Sequence, residues 1–334
     1  MKHPGNQYKI TLYSIFLFVF VLTTIVFADV EYRDKKVFTV KSGGSLTIES
    51  ERGSIDVKSW NKEVVEIEIY KKADTFTDSE AEKILEDFEI NFDQSGSDVF
   101  VKARFRTRSD NFGGSGRRLI VKYTVFVPQK YNVDLTTAGG SISIDDLEGK
   151  VISRTAGGSL HFGQIDGPVT GKTSGGSISL EGCVGDADIR TSGGSISIGQ
   201  VNGRVDAHTS GGSIRIDQAK GNVVAKTSGG SVEVKEVMGD IDASTSGGSI
   251  TASISKQPEG RCSLRTSGGS VNAYIAENIK VNLDASTSGG KVYVDFPVTI
   301  QGEISRTKLV SPINGGGPEL ILRTSGGNVN LKRL

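Results

Sequence analysis

In the chain after Ala28, His161, His208, Cys183, Cys262 and the recurring aspartates Asp188, Asp206 and Asp242 are the residues best suited to chemistry. A structural or catalytic metal would need His and Cys ligands at short, fixed spacings. Acyl transfer would need a nucleophile, a histidine and an orienting acid. Neither histidine has a cysteine or acid at metal or catalytic spacing. Cleavage of a glycosidic bond uses a pair of carboxylates. The three aspartates instead recur as one outward column, which is repeat decoration rather than a singular site. The Gly-Gly pairs lack the following Lys and helix of a phosphate-binding loop. The residues thus define no catalytic, cofactor-binding or metal-binding set and call for no cofactor, and the expectation is a non-enzymatic protein.

One column invites a binding role. Arg154, Lys172, Arg190, His208, Lys226, Arg265 and Arg323 each stand immediately before a recurring Thr, with Ser244 and Ser286 completing the series. Stacked about 4.8 Å apart on neighbouring strands, they form a basic stripe suited to a polyanion such as an acidic envelope glycan. The alternative is a solvated strand face, because Asp188, Asp206 and Asp242 lie close enough to neutralise part of it.

The element that positions these columns is a repeat. Gly pairs recur at one constant interval from Gly139-Gly140 through Gly157-Gly158 and Gly175-Gly176 to Gly247-Gly248. A second Gly column, from Gly149 through Gly167 to Gly239, keeps the same period. Later pairs begin at Gly268, Gly289 and Gly326, after longer and less regular steps. A fixed short period is the mark of a solenoid. Each unit holds two short strands. In the first, Ile196 and Ile198 alternate with polar neighbours. In the second, Val151, Val169, Ala187, Val205, Val223 and Ile241 form one column, and a mostly small column lies two positions farther on. Large residues facing small ones suit a narrow core. The Gly pairs are expected to supply the positive φ of sharp corners. The Thr column, in phase with the inward Val column, is expected to hold each corner through its hydroxyl.

Residues 29–135 form a β-rich capping region. Strands are expected at Val37 to Val40, Ser45 to Glu49, Ser54 to Val57, Val64 to Tyr70, Val99 to Phe105 and Leu119 to Val127. A short helix near 79–88, capped by Asp78 or Ser79, places Ile84, Leu85 and Phe88 on one side. Asn111 to Gly116 reads as a Gly-rich loop. A repeat array cannot leave its apolar end open, so this region caps one end of the array at 136–334, and the insert from Phe296 to Pro318 caps the other.

The two cysteines lie about four coils apart, on the order of 19 Å at the strand spacing, beyond the reach of a disulfide. Both are expected to be free thiols.

Residues 1–28 read as a secretory signal peptide: Lys2 and Lys9, an apolar run from Ile10 to Phe27, and Val26-Phe27-Ala28 before Asp29. An uncleaved membrane anchor is the alternative. Removing those two lysines from the 39 basic residues leaves 37 against 39 acidic ones, a balance that does not favour nucleic acid. The expected location is periplasmic, secreted or cell-surface. An envelope glycan or a surface protein is the expected partner, and a membrane only if the segment is retained.

The motifs resemble a family of bacterial β-strand-repeat domains of unknown function that carry the label of candidate adhesins. The resemblance spans most of the chain after Ala28. Its early marks are Gly53-Ser54-Ile55-Asp56-Val57 with Trp60, and Tyr123 to Pro128. Its late marks are Asn314-Gly315-Gly316-Gly317-Pro318 and Thr324-Ser325-Gly326-Gly327. It implies export and a β-solenoid fold, and it supplies no functional residues. The expected fold is an all-β, parallel β-solenoid (β-helix) with coils of about 18 residues, preceded by the β-rich cap and its short helix. The expected role is a structural or interaction (adhesin-like) protein of the cell envelope; the alternative is a polysaccharide-acting enzyme on a β-helix scaffold.

Overall fold

A computed structural model describes residues 28–75, 77–106, 119–298 and 305–334. Residues 1–27, which hold most of the expected signal peptide, and the expected Asn111 to Gly116 loop lie outside these residues. The chain is a β-solenoid. Its strands build two sheets, one of 15 strands and one of 14, that face each other along a common column. Through the repeat, each strand pairs in parallel with its equivalent in the next coil, as Ile196 does with Ile214 and Val205 with Val223.

The register follows from alternation. On the larger sheet Ile142, Leu160, Ile178, Ile196, Ile214, Val232 and Ile250 point inward and are buried. On the smaller sheet Val151, Val169, Ala187, Val205, Val223 and Ile241 do the same. Size is matched across the gap: a Cβ added to Gly171 would lie 2.9 Å from the Phe162 ring. Phe162 is fully buried, so the ring fills the volume that Gly171 leaves.

The Gly pairs serve a purpose different from the one expected. None of the repeat pairs has positive φ; that conformation is confined to Gly43, Gly53, Gly96, Gly149, Gly315 and Gly316 among the described glycines. The second Gly of each pair is required because successive corners touch. A Cβ on Gly194 would run into the carbonyl of Gly176 one coil below. Backbone-to-backbone approach, rather than a left-handed turn, selects glycine here.

The Thr column holds the same corner, as expected. Thr191 Oγ1 donates to the Gly176 carbonyl at 2.8 Å and accepts from the Gly194 amide at 3.4 Å. Thr155, Thr173, Thr245, Thr266 and Thr324 repeat both bonds. Beside it, the hydroxyl of each serine after the Gly pair accepts the amide of its equivalent in the next coil, as Ser177 Oγ does from Ser195 N at 3.2 Å.

Spatial order departs from chain order at both ends. At the first end the strands are β1 (Ala28–Thr39), β2 (Ser45–Ser50), β3 (Ser54–Trp60) and β4 (Val64–Thr75). The helix α1 (Asp78–Asp87) follows, then β5 (Phe88–Ser95), β6 (Asp98–Phe105), β7 (Leu119–Pro128), β8 (Asn132–Thr137) and β9 (Ile142–Ile144). β2 lies in parallel between β6 and β8, and β3 between β7 and β9. Thus β2–β3 is a coil of the same stack, with β6–β7 placed outside it. β4, β1 and β5 then close the sheets with antiparallel pairing.

The expected strands are present, and β5 adds one that the sequence reading missed. The helix begins slightly earlier than expected: Thr77 is the cap, its hydroxyl accepting from Glu80 N. Ala81, Ile84, Leu85 and Phe88 are buried. Lys71 reaches the helix C-terminus, donating to the Leu85 carbonyl at 2.9 Å, where a cation complements the helix dipole.

At the far end the last coil is tucked inward. Glu319–Thr324 lies between Cys262–Thr266 and Val281–Thr287. Val329–Arg333 lies between Val271–Ile275 and Val292–Val294. Lys308–Ile313 runs antiparallel along the outer side of Val281–Thr287.

Both cysteines are free and buried. They lie on opposite sheets, not along one column: Cys183 pairs with Ile165 and Val201, and Cys262 with Leu320. Burial pushes the Cys183 thiol up to about 12 and the Cys262 thiol up to about 11.

Candidate interaction surfaces

The parallel register brings the predicted basic column together on the outer face of the smaller sheet. Arg154, Lys172, Arg190, His208 and Lys226 are successive neighbours. Ser244 then separates Lys226 from Arg265, which stands beside Arg323.

The same face carries its own acids. Two positions earlier in each strand is the next outward one, so a carboxylate there sits beside the base. Arg154 pairs with Asp134 at 3.0 Å, Lys172 with Asp188 at 3.4 Å, and Lys226 with Asp242 at 3.0 Å. Arg190 bridges Asp188 at 2.7 Å and Asp206 at 3.2 Å. Arg323 meets Asp284 at 2.6 Å. Burial pulls Asp188 upward, but the hydrogen bond and charge of Arg190, aided by Lys172, hold it below the usual carboxylate range. Arg265 has no ion-pair partner among the described residues. The face is a ladder of alternating charge rather than a uniform basic stripe.

The histidines have acid neighbours that spacing alone did not reveal. His208 Nε2 lies 2.6 Å from Asp206 Oδ1, and His161 Nε2 lies 3.9 Å from Glu181 Oε1. The signal for the first was the period-two alternation of a strand. Asp206 is shared with Arg190 and Arg204, which marks it as part of the charge ladder.

The outer face of the larger sheet is also paired. Arg215 meets Glu233 at 2.5 Å, and Lys235 meets Asp217 at 2.8 Å. Farther along, Asn330 donates to Asn272 at 2.8 Å. Among the described residues no group of three or more His, Cys, Asp and Glu side chains is placed to hold a metal.

A cleft of about 420 Å³ follows the second corner, lined by Gln129, Asp146, Gln164, Val184, Gln200 and Asn202. The sequence reading missed this surface. Its signal was polar amides at multiples of the repeat, Gln164, Gln200 and Gln218.

Two opposed parallel sheets with touching glycine corners define a β-solenoid protein that displays side-chain ladders on open faces. The chain belongs to the Toastrack family, DUF4097, whose model matches residues 26–332. No curated protein matches it. Among solved structures, a candidate adhesin from Bacteroides fragilis is 12% identical, with 91% of this chain and 97% of that one covered and a TM-score of 0.32. A candidate cell adhesion protein from Clostridium sporogenes is 12% identical, covering 91% and 100%, with a TM-score of 0.23. A candidate lipid binding protein from Parabacteroides distasonis is 13% identical, covering 90% and 96%, with a TM-score of 0.33.

Proposed function

We propose that this chain is an exported, non-enzymatic structural or interaction protein of the bacterial cell envelope, with adhesion as one form of that role. The observation that carries the reading is the use of its charged groups. The outward acids and bases are joined coil by coil in ion pairs on a rigid two-sheet column. Such a column presents an extended face to a partner, as solenoids do. The export part rests on Lys2, Lys9 and the apolar run from Ile10 to Phe27, a pattern that directs secretion.

Two measurements test this. N-terminal sequencing of the mature protein is expected to begin at Asp29; a start at Met1 refutes cleavage. Purified protein is expected to release no reducing ends from anionic glycans. Their accumulation over time would overturn the reading in favour of a polysaccharide-acting enzyme.

A further inference from the structure

The corner that follows the larger sheet carries a planar polar residue in each coil but one: Asp146, Gln164, Gln200, Gln218 and Glu236, with Gly182 standing between Gln164 and Gln200 and with Gln164, Gly182, Gln200 and Gln218 in direct register. The column divides in two. Gln218 Nε2 donates to Glu236 Oε2 at 2.7 Å, and Ser255 Oγ donates to Glu236 Oε1 at 3.0 Å, so that half satisfies itself. In the other half, the side-chain amides of Gln164 and Gln200, and of Gln129 and Asn202 beside them, have no protein partner among the described residues. All four line the same open cleft. Gly182 makes room for the Gln164 side chain between the two coils, since a Cβ there would strike Gln164 Oε1 and lie 2.9 Å from the Gln200 carbonyl. Val184, 53% exposed, supplies an apolar contact in the same cleft.

We propose that this cleft binds a neutral, hydroxyl-rich glycan chain lying along the column. The proposal deepens the envelope-interaction reading by naming its partner class, and it rests on that reading for context. Each amide offers paired donors and an acceptor in one plane, a match for neighbouring sugar hydroxyls. Gln164 and Gln200 are two coils apart, roughly 10 Å at the strand spacing, a span that an extended disaccharide covers. Val184 meets the apolar face of a ring.

The cleft disfavours the other polymers. Asp146, Glu148 and Asp166 line it; of the bases nearby, Lys130 is held by Glu148 at 2.6 Å and Lys220 stands one coil beyond Asn202, so carboxylates dominate the cleft and an acidic chain is disfavoured. A peptide strand cannot add by backbone pairing, because Val184 N is bonded to the Ile165 carbonyl and Asn202 N to the Cys183 carbonyl.

Calorimetric titration of the purified mature chain with cellohexaose, xylohexaose, mannohexaose and hexagalacturonate tests the site. At least one neutral hexasaccharide is expected to bind, and hexagalacturonate is not. The double variant Gln164→Ala/Gln200→Ala is expected to weaken binding by about tenfold or more through lost hydrogen bonds. Val184→Asp weakens it similarly, whereas Gln218→Ala leaves it unchanged. Circular dichroism confirms that each variant is folded. The proposal is overturned if no neutral hexasaccharide binds at millimolar concentration, if the double variant binds as well as the parent, or if hexagalacturonate binds as well as the neutral chains. Such a failure in a protein still exported to the envelope removes the glycan site alone; a chain retained in the cytoplasm removes the envelope reading.

Discussion

Thr191 and Gly176 are joined across successive coils: the threonine hydroxyl donates to the glycine carbonyl at 2.8 Å while accepting the amide of its own corner, Gly194. One side chain therefore satisfies a backbone acceptor and a backbone donor at a partly buried corner. Repeated along the column, this relationship fixes how closely the coils stack.

Replacing Thr191 with Val keeps the shape and removes both bonds. Two partly buried backbone groups lose a partner, and the expected cost is about 1–2 kcal/mol. Thr191→Ser retains the hydroxyl and is expected to cost less. Urea denaturation checks this as a lowered midpoint with an unchanged slope. Equal stability of the Val variant and the parent would show that the corner is held otherwise.

The two glycines of the first pair are expected to respond unequally. A Cβ on Gly139 meets nothing within 4 Å, whereas one on Gly140 runs into the Gly53 carbonyl. Gly139→Ala should lie within about 0.5 kcal/mol of the parent. Gly140→Ala should be destabilised by at least about 1–3 kcal/mol. Thermal melts of the two variants side by side decide the matter, and similar losses at both would return the pair to a requirement of turn conformation.

This asymmetry also marks what the sequence could convey. The period was legible because stacked coils repeat the same inward columns, so Ile196 and Ile214 announce their pairing. The reason for glycine was not, because contact between corners is made by residues a full period apart and leaves no local trace. The end coils were equally hidden. The pairs at Gly268, Gly289 and Gly326 read as a sequence in chain order, yet the Gly326 corner packs on Gly268 and the Gly289 corner on Gly326. Chain order does not encode which open edge a returning strand will fill. On the surface, the basic column was visible, whereas its pairing to Asp134 and Asp284 depended on coils brought together by the fold.

Cys183 and Cys262 are expected to resist alkylation in the native protein near pH 8 and to react on unfolding. Burial raises both thiols, to about 12 and about 11, above an ordinary value of 9.0. The folded state therefore keeps these protons where the unfolded chain releases them. The linked stabilisation is fully present below pH 9 and is lost as pH rises through 9.0 toward about 12. Iodoacetamide labelling followed by mass spectrometry measures this. Rapid native labelling at either thiol would contradict the buried placement.

The ion-paired face is expected to bind polyanions poorly. At physiological salt the chain should pass through a heparin column, since its acids screen the bases. Neutralising Asp188, Asp206 and Asp242 to Asn should create retention by exposing a basic stripe. Retention of the parent chain that disappears on charge reversal of Arg154, Lys172 and Arg190 would instead establish the stripe as a polyanion site.

That an exported solenoid presents its faces to envelope partners is tested most directly by photo-crosslinking in intact cells, from a reactive side chain placed at the exposed Asn202. The predicted result is a mature chain in the envelope fraction carrying covalently attached envelope material. A chain recovered from the cytoplasm, or an exported chain with nothing attached, would contradict it.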